Sequence, residues 1–298
     1  MFKQSYSPDD LKTFVKRCDT FVGIDSDGCV FDTMSVKQRE HFHPLIIRFW
    51  RLERCEHEFR ACAEFVNMYS KTRGSNRFPA LLRTFELLHA YPGISERNVT
   101  LPPLDAIRAY VGSGLPLGNP SLQAEAERSR DPELARLLAW SLAINDDIRL
   151  HMRPVPPFTW ARQALDRIGP QSDSMVVSQT PEEALIKEWD LHGIRACVDL
   201  IAGQELGTKT EQLLAATRGQ YAPGKVLMIG DALGDLAAAA DSGALFYPIL
   251  PGREEASWER FVTEAYDKFL AGSFGGAYAA ALAEEFVSGL PDTPPWHA

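Results

Sequence analysis

Short apolar runs alternate with stretches of helical spacing at the beginning and over the second half of the chain. The apolar runs lie at 21–24, 175–177, 196–201, 226–229 and 244–250. Continuous runs of this length, rich in valine and isoleucine, are typical of strands buried on both faces of a parallel sheet. Between them, 181–191, 209–217 and 235–241 repeat apolar residues every three or four positions. The pattern predicts an α/β fold with a doubly wound, Rossmann-like parallel sheet, whose ligands lie at the carboxyl ends of the strands.

The stretch between the first two apolar runs, 25–174, is far too long for a simple connection within a sheet. Apolar residues recur at helical spacing in several parts of it, including 45–52 and 132–144. We therefore predict a large helical domain at 33–154, inserted into a Rossmann-like core formed by 1–32 and 155–298. The prolines at 154, 156 and 157 are the predicted return hinge.

The end of the chain, 254–298, is predicted to be a C-terminal helical extension of the core. A stripe of large apolar residues repeats there at helical spacing. Its members are Trp258, Phe261, Val262, Ala265, Tyr266 and Phe269. We expect the stripe to pack on the core, with a homodimer contact as the alternative.

Composition narrows the class of protein. The chain has 298 residues, 45% hydrophobic and 24% charged, as in ordinary globular proteins. A net charge of -9 argues against nucleic acid or an anionic membrane as the main partner, because both need a basic surface. No apolar run approaches the roughly 20 residues of a membrane span, and the first ten residues lack a secretory apolar stretch. Five scattered cysteines without a CxxC pair do not form a disulfide framework, and we expect a cytoplasmic protein.

Two acids follow the first predicted strand. Asp25 and Asp27 are two residues apart and Gly28 comes next. Because side chains alternate along an extended backbone, both carboxylates are expected on the same side where the strand ends. Two carboxylates this close repel each other, and they persist together around a cation or when one is protonated. The pair therefore suits metal-assisted chemistry in which one acid is the nucleophile and the other carries a proton.

Later strand ends add further polar groups. Ser178 follows the run at 175–177, and Asp231 follows the run at 226–229 and Gly230, with Asp235 four residues later. Lys209 lies in the first turn of a predicted helix, after Thr208, which is spaced from Glu211 as in a capping box. All these residues fall at carboxyl ends of strands or in an adjacent helix turn, where this fold binds ligands.

The order Asp25/Asp27, Ser178, Lys209, Asp231/Asp235 resembles the four signature motifs of the haloacid dehalogenase-like (HAD) superfamily. DxDGxxxD matches Asp25, Asp27, Gly28 and Asp32, and GDxxxD matches Gly230, Asp231 and Asp235. Cys29 departs from the family, which usually has threonine or valine there. The resemblance covers roughly half of the chain and implies that the inserted helical domain is a cap over the active site.

The resemblance implies roles for these residues. Asp25 would be the nucleophile that forms an aspartyl-phosphate, and Asp27 the general acid and base. Ser178 and Lys209 would contact the phosphoryl oxygens. Mg²⁺ would be held by the carboxylates of Asp25 and Asp231, by the backbone carbonyl of Asp27, and by Asp235 directly or through water. For Asp235 alone, capping of the following helix is the alternative.

The implied activity is Mg²⁺-dependent hydrolysis of a small phosphorylated metabolite. Asp27 favours phosphoryl transfer over dehalogenation, because a halide leaves without being protonated. The alternatives are a phosphomutase, a phosphonatase-like C–P hydrolase that would use a cap lysine (Lys37 or Lys71), and a binding protein without turnover on the same fold.

Candidate substrate contacts come from two segments. Gln179 and Thr180 directly follow Ser178 and are placed to reach a substrate. In the inserted domain, Arg73 and Arg77 lie in a polar, cationic stretch that interrupts the apolar helical pattern. Either arginine could grip an anionic group with its two-pronged guanidinium. A solvated turn between two helices is the alternative interpretation of that stretch.

Overall fold

The computed structural model describes residues 3–297 of the chain. Met1, Phe2 and Ala298, which the predicted domain bounds include, lie outside the described residues. The chain divides into two compact units. The first combines the described residues up to Thr33 with Pro154–Gly289, and the second combines Met34–Arg153 with the described residues from Leu290 onward. Among the described residues, no helix has both the length and the apolar character needed to cross a membrane.

A parallel sheet of five strands forms the centre of the first unit. The strands are β1 (Phe21–Ile24), β2 (Asp173–Val177), β3 (Leu200–Ala202), β4 (Val226–Gly230) and β5 (Leu245–Pro248). Their order is β3-β2-β1-β4-β5, and every neighbouring pair is parallel. Chain order runs outward from β1 in both directions, which confirms the predicted doubly wound α/β fold.

One predicted strand is too long. The apolar run at 196–201 was expected to be extended throughout, but only Leu200–Ala202 pairs with β2. Arg195–Cys197 instead forms a 3-10 turn, in which the Cys197 amide donates to the Ile194 carbonyl over 3.0 Å. A short apolar run cannot by itself distinguish a strand from a buried turn.

Helices surround the sheet and connect its strands. Those of the first unit are Pro8–Lys12, Thr159–Ile168, Glu182–Leu191, Lys209–Thr217, Leu233–Ser242, Glu254–Arg260, Tyr266–Leu270 and Ala277–Ser288, with a π-helical segment at Phe261–Ala265 and 3-10 turns at Arg195–Cys197 and Gln204–Leu206. The aromatic members of the C-terminal stripe, including Trp258, Phe261 and Phe269, are fully buried in the core of this unit. The stripe therefore packs on the core, as we expected.

The second unit is helical and has its own apolar core. After Thr33–Val36, which spans the unit boundary, its helices are His43–Trp50, Glu56–Glu64, Arg77–His89, Asp105–Val111, Asn119–Ser129 and Pro132–His151, with π-helical segments at Lys37–Phe42 and Phe65–Tyr69 and 3-10 turns at Glu53–Cys55, Ile94–Arg97 and Pro295–His297. Aromatic rings lie at the centre of its core, where Trp50 is 5.1 Å from Phe85 and 5.8 Å from Trp140 between ring centroids.

The last residues group differently from the predicted domain bounds, which placed 290–298 with the core. From Leu290 onward the chain belongs to the second unit. The Trp296 ring lies 5.9 Å from Phe65 and 5.0 Å from Tyr91, and Lys71 pairs with Asp292 at 2.5 Å. An aromatic side chain buries a large apolar area, which explains why this short segment packs on the second unit.

Candidate active site

The carboxyl ends of three adjacent strands supply the candidate site. β1 lies between β2 and β4, and Asp25, Ser178 and Asp231 are the first residues after these three strands. The Asp25 amide donates to the Ile229 carbonyl over 2.9 Å, which extends the pairing of β1 with β4 by one residue. This pairing explains why acids distant in sequence lie together at one edge of the sheet.

Three carboxylates and a lysine form a buried cluster at this edge. Oxygens of Asp25, Asp231 and Asp235 all lie within 4.8 Å of one another. The Lys209 ammonium is 2.9 Å from Asp25 Oδ2 and 2.5 Å from Asp235 Oδ1. All three acids are buried, and the lysine side chain is only 16% exposed. The structure therefore brings together four of the residues that the sequence singled out.

Burial and charge act in opposite directions on these groups. Burial raises the pKa of Asp25 and outweighs the attraction of Lys209, while repulsion from Asp235 and Asp231 raises the pKa further. Burial alone would lower the pKa of Lys209, but attraction from Asp235 and Asp25 outweighs burial and raises it, so the ammonium stays protonated. The cluster therefore contains more negative charge than its lysine can neutralise.

Asp235 is held tightly against the backbone. Its Oδ2 accepts hydrogen bonds from the amides of Asp231 and Ala232, at 3.2 and 3.0 Å, and so caps the helix Leu233–Ser242. A Cβ at Gly230 would lie 2.3 Å from Asp235 Cγ, so no larger residue fits there without moving Asp235. Asp235 therefore caps the helix through Oδ2 and belongs to the cluster through Oδ1, which faces Lys209.

The loop after Asp25 is fixed by two buried tryptophans. Trp189 Nε1 donates to Ser26 Oγ over 3.1 Å, and Trp258 Nε1 donates to the Cys29 carbonyl over 2.8 Å. Gly28 has φ 78°, a left-handed conformation that glycine adopts without strain. Cys29, the departure from the family pattern, is fully buried in this loop. The loop therefore turns sharply directly after Asp27.

Two hydroxyl groups orient the Asp27 carboxylate. Thr180 Oγ1 donates to Oδ2 over 2.6 Å, and Thr33 Oγ1 donates to Oδ1. Thr180 was predicted to contact substrate, but its hydroxyl is directed to Asp27. Thr33 was not predicted at all. It sits six residues after Asp27, and no spacing rule for a strand or helix places it there.

Ser178 lies at the end of β2 and is buried. Its Oγ accepts a hydrogen bond from the Thr180 amide over 3.2 Å, which links the Ser178 turn to the threonine that holds Asp27. Gln179 is exposed, and its side chain donates to the Gly207 carbonyl over 3.0 Å, just before Lys209.

Gln212 was also missed by the sequence analysis. It is fully buried, and its Nε2 lies 3.2 Å from the Ser178 carbonyl, 2.8 Å from that of Gly203 and 3.0 Å from that of Gly207. The side chain fastens the helix of Lys209 to the end of β2. Its position three residues after Lys209, on the same side of the helix, is the only sequence signal for this role.

The donor set fits a hard divalent cation. Carboxylate oxygens are the ligands that Mg²⁺ prefers, and three of them converge here beside a single lysine. A divalent ion would offset the excess negative charge that raises the pKa of Asp25. The candidate ligands are Asp25, Asp231 and Asp235, and the backbone carbonyl of Asp27 remains a predicted ligand.

Arg73 and Arg77 belong to the second unit and have protein partners there. Arg73 is buried and donates to the Met68 carbonyl over 2.9 Å. Arg77 donates to the Ser141 carbonyl and to Asn145 Oδ1, at 3.1 and 2.8 Å. Arg77 therefore joins the helices Arg77–His89 and Pro132–His151, whereas Arg73 fastens its own turn to the preceding segment Phe65–Tyr69. A substrate role for either residue stays a prediction.

Comparisons with known proteins give matches of fold only. No protein-family model matches the chain, and no curated relative matches it. A haloacid dehalogenase-like hydrolase from Streptococcus pneumoniae is 14% identical, with 80% of this chain and 90% of that chain covered and a TM-score of 0.42. A haloacid dehalogenase-like hydrolase from Xanthomonas campestris is 11% identical, with 86% and 98% covered and a TM-score of 0.41. A defluorinating L-2-haloacid dehalogenase is 14% identical, with 80% and 87% covered and a TM-score of 0.35. The reaction must therefore be argued from the site itself.

Proposed function

We propose that the chain is a HAD-like phosphatase that hydrolyses a small phosphorylated metabolite with the help of Mg²⁺. The observation that carries the proposal is the buried cluster of Asp25, Asp231, Asp235 and Lys209 at the carboxyl ends of β1 and β4. A nucleophilic carboxylate must approach a phosphate that repels it. A bound Mg²⁺ would lower that repulsion and stabilise the charge of the transferring group.

The first half of the reaction uses Asp25 and Asp27. A carboxylate oxygen of Asp25 forms a bond to phosphorus, and the bond from phosphorus to the leaving oxygen breaks. Asp27, protonated at the start, gives its proton to that oxygen. Lys209, within 2.9 Å of Asp25, offsets the charge on the phosphoryl oxygens, and the Ser178 hydroxyl donates a hydrogen bond to one of them.

The second half restores the enzyme. Asp27 takes a proton from a water molecule, the water oxygen bonds to phosphorus, and the aspartyl-phosphate bond breaks. Inorganic phosphate leaves, Asp25 is a free carboxylate again and Asp27 is again protonated. Both halves require Asp27 to keep one orientation, and the two threonine hydroxyls supply it.

Metal removal tests the proposal directly. We expect phosphate release from p-nitrophenyl phosphate with Mg²⁺, its loss in EDTA, and its recovery when excess Mg²⁺ is added back. A panel of sugar phosphates, nucleotides and phosphorylated organic acids, assayed in the same way, defines the substrate class. Release that is unaffected by EDTA would contradict the role of the metal. Transfer of phosphate to a second position of a sugar without release would indicate a mutase, and release from a phosphonate alone would indicate C–P cleavage.

Thr180→Val is expected to lower kcat by about tenfold to a hundredfold with little change in KM, because a hydrogen bond to a carboxylate contributes about 1.5–3 kcal/mol. The loss should be larger for alkyl phosphates than for p-nitrophenyl phosphate, since a poor leaving group depends more on protonation by Asp27. Steady-state kinetics on both substrates measures this difference.

Thr180→Ser is the matched control, since it keeps the hydroxyl, and we expect it to stay close to the wild type. A rise in KM of equal size for all substrates, with kcat unchanged, would contradict positioning of Asp27. It would instead support the substrate contact that the sequence predicted for Thr180.

A further inference from the structure

The second unit contains a basic cavity of about 660 Å³ that the proposed reaction does not use. Its wall comes from the end of the helix His43–Trp50, the turn Glu53–Cys55, the segment 98–103 and the helix Pro132–His151. Four arginines line it, and none of the lining residues that the structure describes is acidic. The arginines are Arg48, Arg51, Arg54 and Arg136. In a chain with a net charge of -9, this local concentration of positive charge is unusual.

The four arginines differ in their partners within the protein. Arg54 donates to the Asn98 carbonyl over 3.3 Å, and Arg136 pairs with Glu133 at 3.1 Å. Among the described residues, no carboxylate forms an ion pair with Arg48 or Arg51, and both side chains are exposed. The Arg48 guanidinium lies over the Phe49 ring, 5.6 Å from its centroid. Like charges around one cavity repel, and a bound anion would relieve that repulsion.

Arg51 also occupies a position that the backbone would give to glycine. It ends the helix His43–Trp50 with φ 56° and ψ 51°, in the left-handed region. Glycine is the usual residue there, because any side chain is strained in this conformation. The carbonyls at this helix end carry about half an elementary charge of negative sign, which is small against the charge of four guanidinium groups. Arg130 and Arg218 end two other helices in the same left-handed conformation, so this position of Arg51 is not itself evidence of a ligand.

The size of the cavity and its apolar lining residues define the ligand class. Small-molecule sites are typically about 300–1,000 Å³, so this cavity is much larger than inorganic phosphate needs. Phe49, Val99, Leu101 and two prolines form an apolar side. Guanidinium groups bind phosphate oxygens in pairs. We propose that this cavity binds a small organic polyphosphate, with its phosphates on the arginines and its organic part against the apolar side.

Isothermal titration calorimetry with ATP, in EDTA to keep the carboxylate site free of metal, tests the proposal. We expect saturable one-to-one binding that weakens as salt is added, because ion pairs are screened. Arg48→Ala/Arg51→Ala is expected to weaken it at least about tenfold, since charge-assisted hydrogen bonds are lost. The ATP affinity of Arg48→Lys/Arg51→Lys should lie between those of the wild type and the alanine variant. Lysine keeps the charge but lacks the two-pronged guanidinium group.

The matched control is Arg128→Ala/Arg149→Ala, which removes the same charge from exposed arginines of the same unit that pair with Glu125 and Asp146. We expect it to bind ATP as the wild type does, and all variants to keep the melting temperature of the wild type. Inorganic tripolyphosphate should bind more weakly than ATP, because it cannot use the apolar side.

Three results would overturn the proposal. One is the absence of saturable ATP binding. Another is equal affinity of the Arg48→Ala/Arg51→Ala and control variants, which would place the anion elsewhere. The last is much tighter binding of a short RNA than of ATP, which would assign the surface to a macromolecule.

Discussion

Replacing Asp25 by asparagine is expected to abolish phosphate release, with a loss of at least about a thousandfold in kcat, because the proposed nucleophile is removed. Asparagine keeps the shape of the side chain but cannot form the acyl-phosphate bond. The buried cluster also loses one negative charge beside Asp231, Asp235 and Lys209, so the fold should not be weakened. Release of p-nitrophenol with Mg²⁺ measures the activity, and thermal unfolding confirms that the variant is folded.

The covalent intermediate gives a second readout. Wild-type protein quenched in acid after brief incubation with a labelled substrate should retain labelled phosphate, and the Asp25→Asn variant should retain none. Asp241→Asn is the matched control, since Asp241 is an exposed acid at the end of the helix that Asp235 caps. Retention of near wild-type turnover in Asp25→Asn would mean that water attacks the substrate directly, and would contradict the nucleophilic role.

The positions of the charged groups could be predicted from the sequence because they follow buried strands. Val and Ile runs define β1, β2 and β4 with small errors, and parallel strands bring their carboxyl ends to one edge. Asp25, Ser178 and Asp231 are therefore located by the sheet alone. Lys209 and Asp235 lie in first turns of helices that begin beside the same edge, where capping patterns mark the start.

The side chains that orient the site could not be predicted in the same way. Thr33 reaches Asp27 through a turn, and Gln212 reaches three carbonyls across a helix start. Neither contact follows a fixed period along the chain. Hydrogen bonds between loops depend on tertiary packing, and a threonine or glutamine in a sequence looks the same whether it supports a site or faces water.

The charge of an arginine does not by itself show that its side chain is exposed, as Arg73 illustrates. The polar stretch around Arg73 and Arg77 suggested a loop that faces a ligand, but the described contacts bind both guanidinium groups to carbonyls and an amide of the same unit. Arginine can be buried when its donors meet several acceptors.

The packing of the Trp296 segment could not be predicted either. Its short proline-rich sequence gives no periodic signal, although one aromatic ring attaches it to Phe65 and Tyr91.

Replacing Lys209 by methionine is expected to make the stability of the first unit depend on the metal. Lys209 is the cation paired with the buried acids Asp25 and Asp235. Removing one partner of a buried ion pair costs about 3–5 kcal/mol, because a charge is left uncompensated. In EDTA the variant should therefore lose about 3 kcal/mol in the free energy of unfolding. Mg²⁺ should restore a large part of this free energy of unfolding, since a ligand that binds only the folded state stabilises it. Phosphate release should stay low in both conditions, because the phosphoryl oxygens lack the ammonium.

Urea unfolding with Mg²⁺ and with EDTA measures the effect. Lys187→Met is the matched control, since Lys187 is exposed on the helix Glu182–Leu191. This substitution should leave the free energy of unfolding unchanged both with Mg²⁺ and in EDTA. Lys209→Met/Asp235→Asn should recover part of the loss in EDTA, because it removes one of the carboxylates that the lysine neutralised. If Mg²⁺ stabilises neither Lys209→Met nor the wild type, the three carboxylates do not hold the cation, and the metal-dependent mechanism fails with them. Equal stabilisation of the two proteins would mean that lysine and metal do not offset the same charge. If the stabilisation is larger in the variant, lysine and metal offset the same negative charge, which is the electrostatic requirement for a carboxylate to attack phosphate in this site.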